Sequence, residues 1–332
     1  MRLILSFLLT FLGVAPVAAQ VSCDGTDIWP TLPQKQRAQL ENIVAKDVFA
    51  AGRFFKVEKD GKTSYLFGTM HAPPTGKLRL PGMVVSELKK SKTLLVEVTD
   101  PVEKAFFRDL KQHKDLFQNK ADNNFSQYFS KDEWALIKKA TRRGGVSDKL
   151  LKRARPWYIY LLMSTLGCDG ANQSDQPVMD VRIQQIGNNA GLNVRSLETP
   201  LDGIKAMQGF SPEEYAMMIK AEIFGLAQSD PGDAYVTRVN MYRRGDIQLI
   251  WQYQLQIFAG LSTEAGVEVM TEFLEGQILG SRNANWLPSI MKALKKGNVF
   301  VAVGALHLGG KYGLMRSLQK DGYSVTRIKF VS

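Results

Sequence analysis

Residues 299–310 read Val-Phe-Val-Ala-Val-Gly-Ala-Leu-His-Leu-Gly-Gly, and the rest of the chain is organised around this segment. Its apolar, β-branched beginning, Val299 to Val303, predicts a short strand that is buried on both faces. The strand ends in Gly304, and His307 follows three residues later. Residues 65–71, Tyr-Leu-Phe-Gly-Thr-Met-His, repeat this arrangement. The chain therefore contains a Gly-x-x-His pattern twice, each time at the end of a predicted strand.

The two patterns predict one shared site. The chain has three histidines, and His71 and His307 occupy the two copies of the pattern. Gly68 and Gly304 let the backbone turn sharply, which brings each histidine back over the sheet. In α/β sheets, ligands gather outside the carboxyl ends of the strands. We therefore expect the two imidazoles to converge, although most of the chain separates them.

A carboxylate is predicted to complete this site. Glu97 lies near the end of the apolar run 93–98, where a carboxylate is costly to bury unless it is paired, protonated or bound to a cation. Two imidazoles and one carboxylate are a usual ligand set for a catalytic first-row dication, so His71, Glu97 and His307 are the predicted metal ligands. A bound metal would activate a water molecule. Taken singly, Glu97 could equally lie on a solvent-exposed edge of the sheet or cap the next helix. Each histidine, taken singly, could be a hydrogen-bonded core residue.

Three further polar residues are candidates for catalytic roles beside Glu97. Glu198 follows the predicted strand 192–197 and could accept a proton. Arg282 is permanently cationic and could stabilise a developing oxyanion. Asn283 could orient a metal ligand through a hydrogen bond. The alternative for residues 281–286 is a capped junction between two helices, with asparagine as the cap.

The remaining patterns predict an α/β fold. Residues 54–57 and 63–67 flank Asp60-Gly61, a dipeptide that favours a type I′ turn, and so predict a hairpin. A closing strand is predicted at 324–331. Residues 101–295 read as a large helical insertion within one domain, residues 21–332, although a chain of this length could also form two domains. Helices are predicted at 33–46, 83–90, 102–113, 131–142, 149–165, 176–190, 267–279, 286–294 and 309–318. Within 149–165, Pro156 predicts a kink or a restart of the helix.

The N-terminus predicts export. Residues 1–20 combine Arg2, an apolar core and small residues before a candidate cleavage site, which is typical of a secretory signal peptide. No later stretch is long enough for a membrane span. Cys23 and Cys168 are the two cysteines of the chain, and in an oxidising compartment such a pair favours a structural disulfide. We therefore expect an exported protein, periplasmic or secreted, with no membrane span after signal cleavage.

The charge of the chain does not indicate a nucleic-acid partner. The net charge of +11 arises from 43 basic and 32 acidic residues. The basic runs are scattered and do not alternate with aromatic residues, so they are interpreted as solvated faces. Some affinity for anionic envelope surfaces stays open.

Together these motifs resemble the TraB/GumN family. The resemblance rests, in order along the chain, on segments 65–71, 95–97, 197–199, 282–283 and 303–310. This family is similar to the Tiki extracellular proteases and, more distantly, to erythromycin esterases and ChaN-like haem-binding proteins. The resemblance implies a mixed central β-sheet flanked by helices, with an active site built from the paired Gly-x-x-His and the acidic strand end. It also implies metal-dependent hydrolysis of a peptide or protein substrate, with Mn, Co or Zn as the metal.

Three functions are compatible with these residues. The first is a metal-dependent hydrolase of the peptidase type. The alternative is a non-catalytic protein of the cell envelope that binds haem or another small ligand in the same pocket. The third is an envelope protein that binds a partner through its helical insertion. The sequence does not specify the substrate, the metal or the oligomeric state.

Overall fold

The centre of the protein is a mixed six-stranded sheet. The structure is a computed structural model that describes residues 23–47, 49–71, 78–143, 146–164, 168, 177–228 and 230–330. Its strands are β1 (Phe54–Lys59), β2 (Lys62–Thr69), β3 (Thr93–Val96), β4 (Asn193–Ser196), β5 (Val299–Gly304) and β6 (Ser324–Arg327). Their order across the sheet is β4-β3-β5-β2-β1-β6. The predicted α/β class with a mixed central sheet is therefore confirmed.

The antiparallel part of the sheet contains the predicted hairpin. β1 and β2 pair antiparallel and are joined by Asp60 and Gly61. Both residues have positive φ, 52° and 70° respectively, which is the geometry of a type I′ turn. β6 pairs with the other edge of β1 but ends at Arg327, short of the predicted end at 331. Beyond Arg327, the N–H of Ile328 still donates to the carbonyl oxygen of Phe54, the first residue of β1, and the strand does not continue past this point.

The parallel part of the sheet positions the two Gly-x-x-His loops. β5 lies between β2 and β3 and runs parallel to both. All of its residues are buried, as predicted. Thr69 at the end of β2 is paired with Gly304 at the end of β5, and Val96 of β3 is paired with Ala302. The segments that follow these three strands therefore leave the sheet at the same edge.

Helices surround the sheet and account for most of the chain between β3 and β5. A π-helix, Glu272–Ser281, joins the two helices on either side of it. Short 3₁₀ turns lie at Trp29–Thr31, Leu110–His113, Phe125–Tyr128 and Ala305–His307. The α-helices span Gln34–Val44, Gly82–Lys90, Asp100–Arg108, Lys114–Phe117, Lys131–Arg143, Asp148–Leu151, Pro156–Ser164, Met179–Asn189, Pro200–Ala206, Pro212–Gln228, Pro231–Arg244, Ile247–Leu261, Glu264–Thr271, Arg282–Leu294 and Leu314–Lys320.

Several predicted boundaries were wrong for identifiable reasons. The helical stretch predicted at 149–165 was expected to kink or restart at Pro156, and a new helix does begin there, although the first piece already ends at Leu151. The helix predicted from 309 begins at Leu314, because Gly310 has a φ of 84° and lies outside the helical region. The strands predicted at 93–98 and 192–197 end at Val96 and Ser196, where the chain turns away from the sheet.

The two faces of the sheet pack into different cores. Alternate residues of the strands point to opposite faces, as the period of a strand requires. Phe54, Phe67 and Phe300 belong to one face of the sheet, and Phe55, Leu66 and Val301 belong to the other. A third cluster of buried apolar side chains lies among the helices between Phe117 and Ile278, which gives the helical region a core of its own.

A disulfide ties the beginning of the described chain to the helical region. Cys23 and Cys168 are bonded, and 145 positions separate them in sequence. The predicted pairing is therefore present. The predicted signal peptide, residues 1–20, lies outside the described residues. Within the part of the chain that the structure describes, no helix combines the length and the apolar character that a bilayer crossing requires.

Candidate functional site

The two Gly-x-x-His loops meet over the end of β5. A Cβ atom added to Gly304 would lie 3.3 Å from Oε1 of Glu97, 3.3 Å from Nε2 of His71 and 3.5 Å from Cδ2 of His307. The three side chains therefore converge on the space above one α-carbon. Gly68 has a different role, because a Cβ there would lie 2.7 Å from the Cα of Ala305. The absence of a side chain at Gly68 lets the two loops pack together.

Glu97 lies at the centre of this cluster. The N–H of Gly304 donates to its Oε1 at 2.7 Å, and Nη2 of Arg282 donates to its Oε2 at 2.7 Å. Nε2 of His71 lies 3.5 Å from Oε1. Burial alone would raise the pKa of Glu97, but the charges of Arg282 and His71 outweigh it and hold that pKa well below its usual range. Glu97 is therefore a buried carboxylate rather than a residue on a wet edge.

His71 is held through its other ring nitrogen by Asp180, a residue that the sequence analysis missed. Nδ1 of His71 lies 2.9 Å from Oδ2 of Asp180, an ion pair rather than a well-aligned hydrogen bond. Thr69 fixes this carboxylate by donating its hydroxyl to Oδ1 at 2.7 Å. Burial lowers the pKa of His71, but Asp180 and Glu97 reverse this effect and raise it to about 9. The sequence signal for Asp180 was weak, because a carboxylate in a first helical turn is ordinary.

His307 is held in the same way by Asn283. Oδ1 of Asn283 lies 2.8 Å from Nδ1 of His307, while its Nδ2 donates to the carbonyl oxygens of His307 and Tyr312. The amide nitrogen is thus engaged as a donor, so Oδ1 must accept and Nδ1 must carry the proton. Nε2 of His307 then presents its lone pair to the site. Burial and the charge of Arg282 lower the pKa of His307 to about 3, so this ring is neutral.

Arg282 joins the carboxylates to His307. It donates to both oxygens of Glu198 through Nε at 3.1 Å, and through Nη2 to Oε1 of Glu198 at 2.6 Å. Its Nη1 lies 3.2 Å from Nε2 of His307. Trp286 also donates to Glu198, at 2.9 Å, and its ring lies under the guanidinium. Burial raises the pKa of Glu198 despite Arg282, but both of its oxygens already accept hydrogen bonds.

The π-helix explains how Arg282, Asn283 and Trp286 reach the site together. It continues without interruption into Arg282–Leu294, so Arg282 and Asn283 lie inside one continuous helical segment. The capped junction considered for residues 281–286 is therefore wrong. A π-helix has a wider turn than an α-helix and is frequent at functional sites. A period of 3.6 residues could not have predicted which side chains face the sheet here.

His71, Glu97, Glu198 and Arg282 border a small cavity at the edge of the sheet, whose described lining includes neither His307 nor Asn283. Its volume is about 60 Å³, room for about two water molecules. Apolar side chains form part of the wall, including Val96, Val178 and Met207. The charged groups that line it are His71, Glu97, Glu103, Asp180, Glu198 and Arg282.

The structure brings all of the predicted site residues except the cysteines into this region. His71, Glu97, Glu198, Arg282, Asn283 and His307 form one connected network. The third histidine, His113, stacks on Phe106 instead and does not line the cavity.

The donor atoms suit a metal, but their present arrangement is not that of a metal site. Imidazole nitrogens and a carboxylate suit a first-row dication, and both histidines are fixed through Nδ1 with Nε2 directed inward, as is usual for ligands. Among the residues that the structure describes, however, no group of three or more His, Cys, Asp or Glu side chains stands in position to hold a metal ion. The guanidinium of Arg282 occupies Oε2 of Glu97 and Nε2 of His307. Metal binding would require it to release His307, and His71 to lose a proton.

Two comparisons show what the chain is similar to. A sequence model of the TraB/PrgY/gumN family matches residues 54–327, which include both Gly-x-x-His patterns. A protein from Amphimedon queenslandica described as "Metalloprotease TIKI homolog" is 26% identical over 190 residues. That alignment covers 53% of this chain and 37% of the relative. The aligned part of this chain thus spans well under half of the relative's length.

Proposed function

The chain belongs to the TraB/PrgY/gumN family, and from that premise and the geometry of its site we propose that it is a metal-dependent hydrolase that cleaves peptide bonds. The observation that carries the proposal is the convergence of His71, Glu97 and His307 on the space above Gly304. Both imidazoles are held through Nδ1, so that their Nε2 atoms are the ones available to a metal.

In this proposal, Nε2 of His71, Nε2 of His307 and the carboxylate of Glu97 hold the metal, and Mn, Co and Zn are the candidate ions. When bound, such a dication polarises a water molecule and lowers its pKa. Asp180 and Asn283 keep the two rings in place, and the N–H of Gly304 does the same for Glu97.

Arg282 has a second part in the proposal. Its Nη1 points at Nε2 of His307 in the absence of metal. If His307 held a metal, that N–H would lose its acceptor while Glu198 would still hold the rest of the guanidinium. The N–H would then be available to donate to the carbonyl oxygen of a substrate, where negative charge develops during hydrolysis.

The peptide bond is proposed as the substrate because the relative from Amphimedon queenslandica is described as a metalloprotease. Export is proposed on the signal-like residues 1–20 and on the Cys23–Cys168 disulfide, a bond that persists in oxidising compartments. The haem-binding alternative is not pursued, because no observation on the described residues favours it over hydrolysis.

The test is the metal content and peptide hydrolysis of the mature protein and its three histidine variants. We expect His71→Ala and His307→Ala each to lose stoichiometric metal and to cut hydrolysis of a mixed peptide library by at least ~10³-fold, as removal of a ligand from a catalytic metal site requires. His113→Ala is the matched control and should retain both. Full metal content in His71→Ala and His307→Ala would show that the metal binds elsewhere.

Asp180 offers a subtler test of the same centre. Asp180→Asn keeps the size of the side chain but removes the charge that orients His71. We expect the affinity for Zn²⁺ or Mn²⁺ to fall about 10–100-fold, the usual effect of losing the partner of a ligating histidine. Isothermal titration with the metal measures this change, and Asp132→Asn, on an exposed residue, is the control. An unchanged affinity would remove Asp180 from the centre.

A further inference from the structure

Three of the four carboxylates that line the cavity hold other groups in place. Glu97 accepts from Gly304 and Arg282, and Glu198 accepts from Arg282 and Trp286. Asp180 accepts from Thr69 and pairs with His71. A carboxylate that is fixed in this way is poorly suited to carry a proton between two reacting atoms, because it would have to give up its partners at each transfer.

The fourth carboxylate, Glu103, has a different environment. It lies on the helix Asp100–Arg108, its side chain lines the cavity, and the residue is only 6% exposed. Its backbone N–H is bonded to the carbonyl oxygen of Thr99. Within the described residues, neither carboxyl oxygen of Glu103 has a hydrogen bond or an ion pair. Glu103 thus lines the same cavity as His71 and Glu97, with a carboxyl group that no described side chain holds.

We propose that Glu103 is the general acid–base of the reaction, an inference that rests on the proposed hydrolase function. Its carboxylate accepts a proton from the attacking water as the water oxygen forms its bond to the carbonyl carbon. The resulting carboxylic acid then gives that proton to the amide nitrogen as the C–N bond breaks. The products are a carboxylic acid and an amine, and Glu103 returns to its starting state. This assignment replaces Glu198 in the role of proton acceptor.

The acidity of Glu103 agrees with this role. Burial raises its pKa to about 7, and the nearby charge of Asp100 acts in the same direction. A group whose pKa lies near neutrality can both accept and donate a proton at physiological pH. Glu97 and Asp180 have lowered pKa values and would donate a proton reluctantly.

The experiment compares two substrates that share an acyl group but differ in leaving group. A peptide anilide must have its leaving nitrogen protonated, whereas the matching p-nitrophenyl ester releases a stable anion. We expect Glu103→Gln to lower kcat for the anilide about 10²–10⁴-fold, the usual contribution of a general acid–base. The loss for the ester should be at least tenfold smaller. Metal content and melting temperature, which report on folding, should match those of the wild type.

Two further variants and the wild type itself make the outcome decisive. Glu268→Gln, on an exposed glutamate, is the matched control, and Glu103→Asp keeps the carboxyl group and should restore part of the anilide activity. Equal losses for the anilide and the ester, or no loss for either, would overturn the role of Glu103 and leave the hydrolase intact. A metal-loaded wild type that hydrolyses neither substrate nor any library peptide would overturn the proposed function, and the role of Glu103 with it.

Discussion

Arg282→Ala is expected to lower the free energy of unfolding of the metal-free protein by about 3–5 kcal/mol, the usual cost of removing one partner from a buried ion pair. The guanidinium is the shared donor for Glu97 and Glu198, and all three side chains are buried. Without it, two like charges remain side by side in a largely buried site. Denaturation with urea in the presence of a chelator measures the loss.

A double variant separates two effects of Arg282→Ala, the charge repulsion between the unpaired carboxylates and the loss of side-chain packing. In Arg282→Ala/Glu198→Gln one of the two carboxylates is replaced by a neutral amide, whose oxygen can still accept from Trp286. We therefore expect the double variant to be more stable than Arg282→Ala, by about 1–3 kcal/mol, a typical coupling energy for residues in one network. Glu198→Gln alone should destabilise the protein. Strictly additive effects would contradict an electrostatic role for Arg282.

The two site histidines of the metal-free protein are expected to contribute most to its stability near pH 6.5, because they respond to pH in opposite ways. The folded-state pKa of His71 is about 9, above an unfolded value of about 6.5. Its contribution is therefore fully present below pH 6.5 and is lost as the pH rises through 9. The folded-state pKa of His307 is about 3. The contribution of His307 to stability is present above pH 6.5 and is lost as the pH falls. The reason is that the unfolded chain then binds a proton at His307, whereas the folded protein does not.

The alkaline arm of this profile is the larger test. A shift from 6.5 to about 9 corresponds to at most about 3 kcal/mol, less some screening, because the His71 side chain is 31% exposed. Urea denaturation between pH 5 and 9.5, with a chelator present, should show this loss in the wild type and a flatter alkaline arm in His71→Gln. His307→Gln should flatten the arm between pH 5 and 6.5 instead. An alkaline arm unchanged in His71→Gln would mean that another group is responsible.

Local sequence was sufficient wherever the structure is set by neighbouring residues. Asp60-Gly61 specified the turn of the hairpin because few other residues adopt positive φ at two successive positions. The apolar run from Val299 to Val303 identified the buried strand, and the glycine after each strand identified both histidine loops. The convergence of His71, Glu97 and His307 could also be predicted, because parallel strands place their carboxyl ends at one edge.

The residue pattern was enough to predict a mixed sheet, its hairpin turn and the three side chains that follow its parallel strands within three residues, His71, Glu97 and His307. Which groups surround these side chains follows from the packing of the helices. Asp180, Glu103 and Trp286 come from helices whose rotation about their own axes is set by packing and, before Trp286, by a π-helix that no regular period encodes. The end of a strand is set by hydrogen-bond register over a few residues. Which side of a helix points toward the site depends instead on everything against which the helix packs.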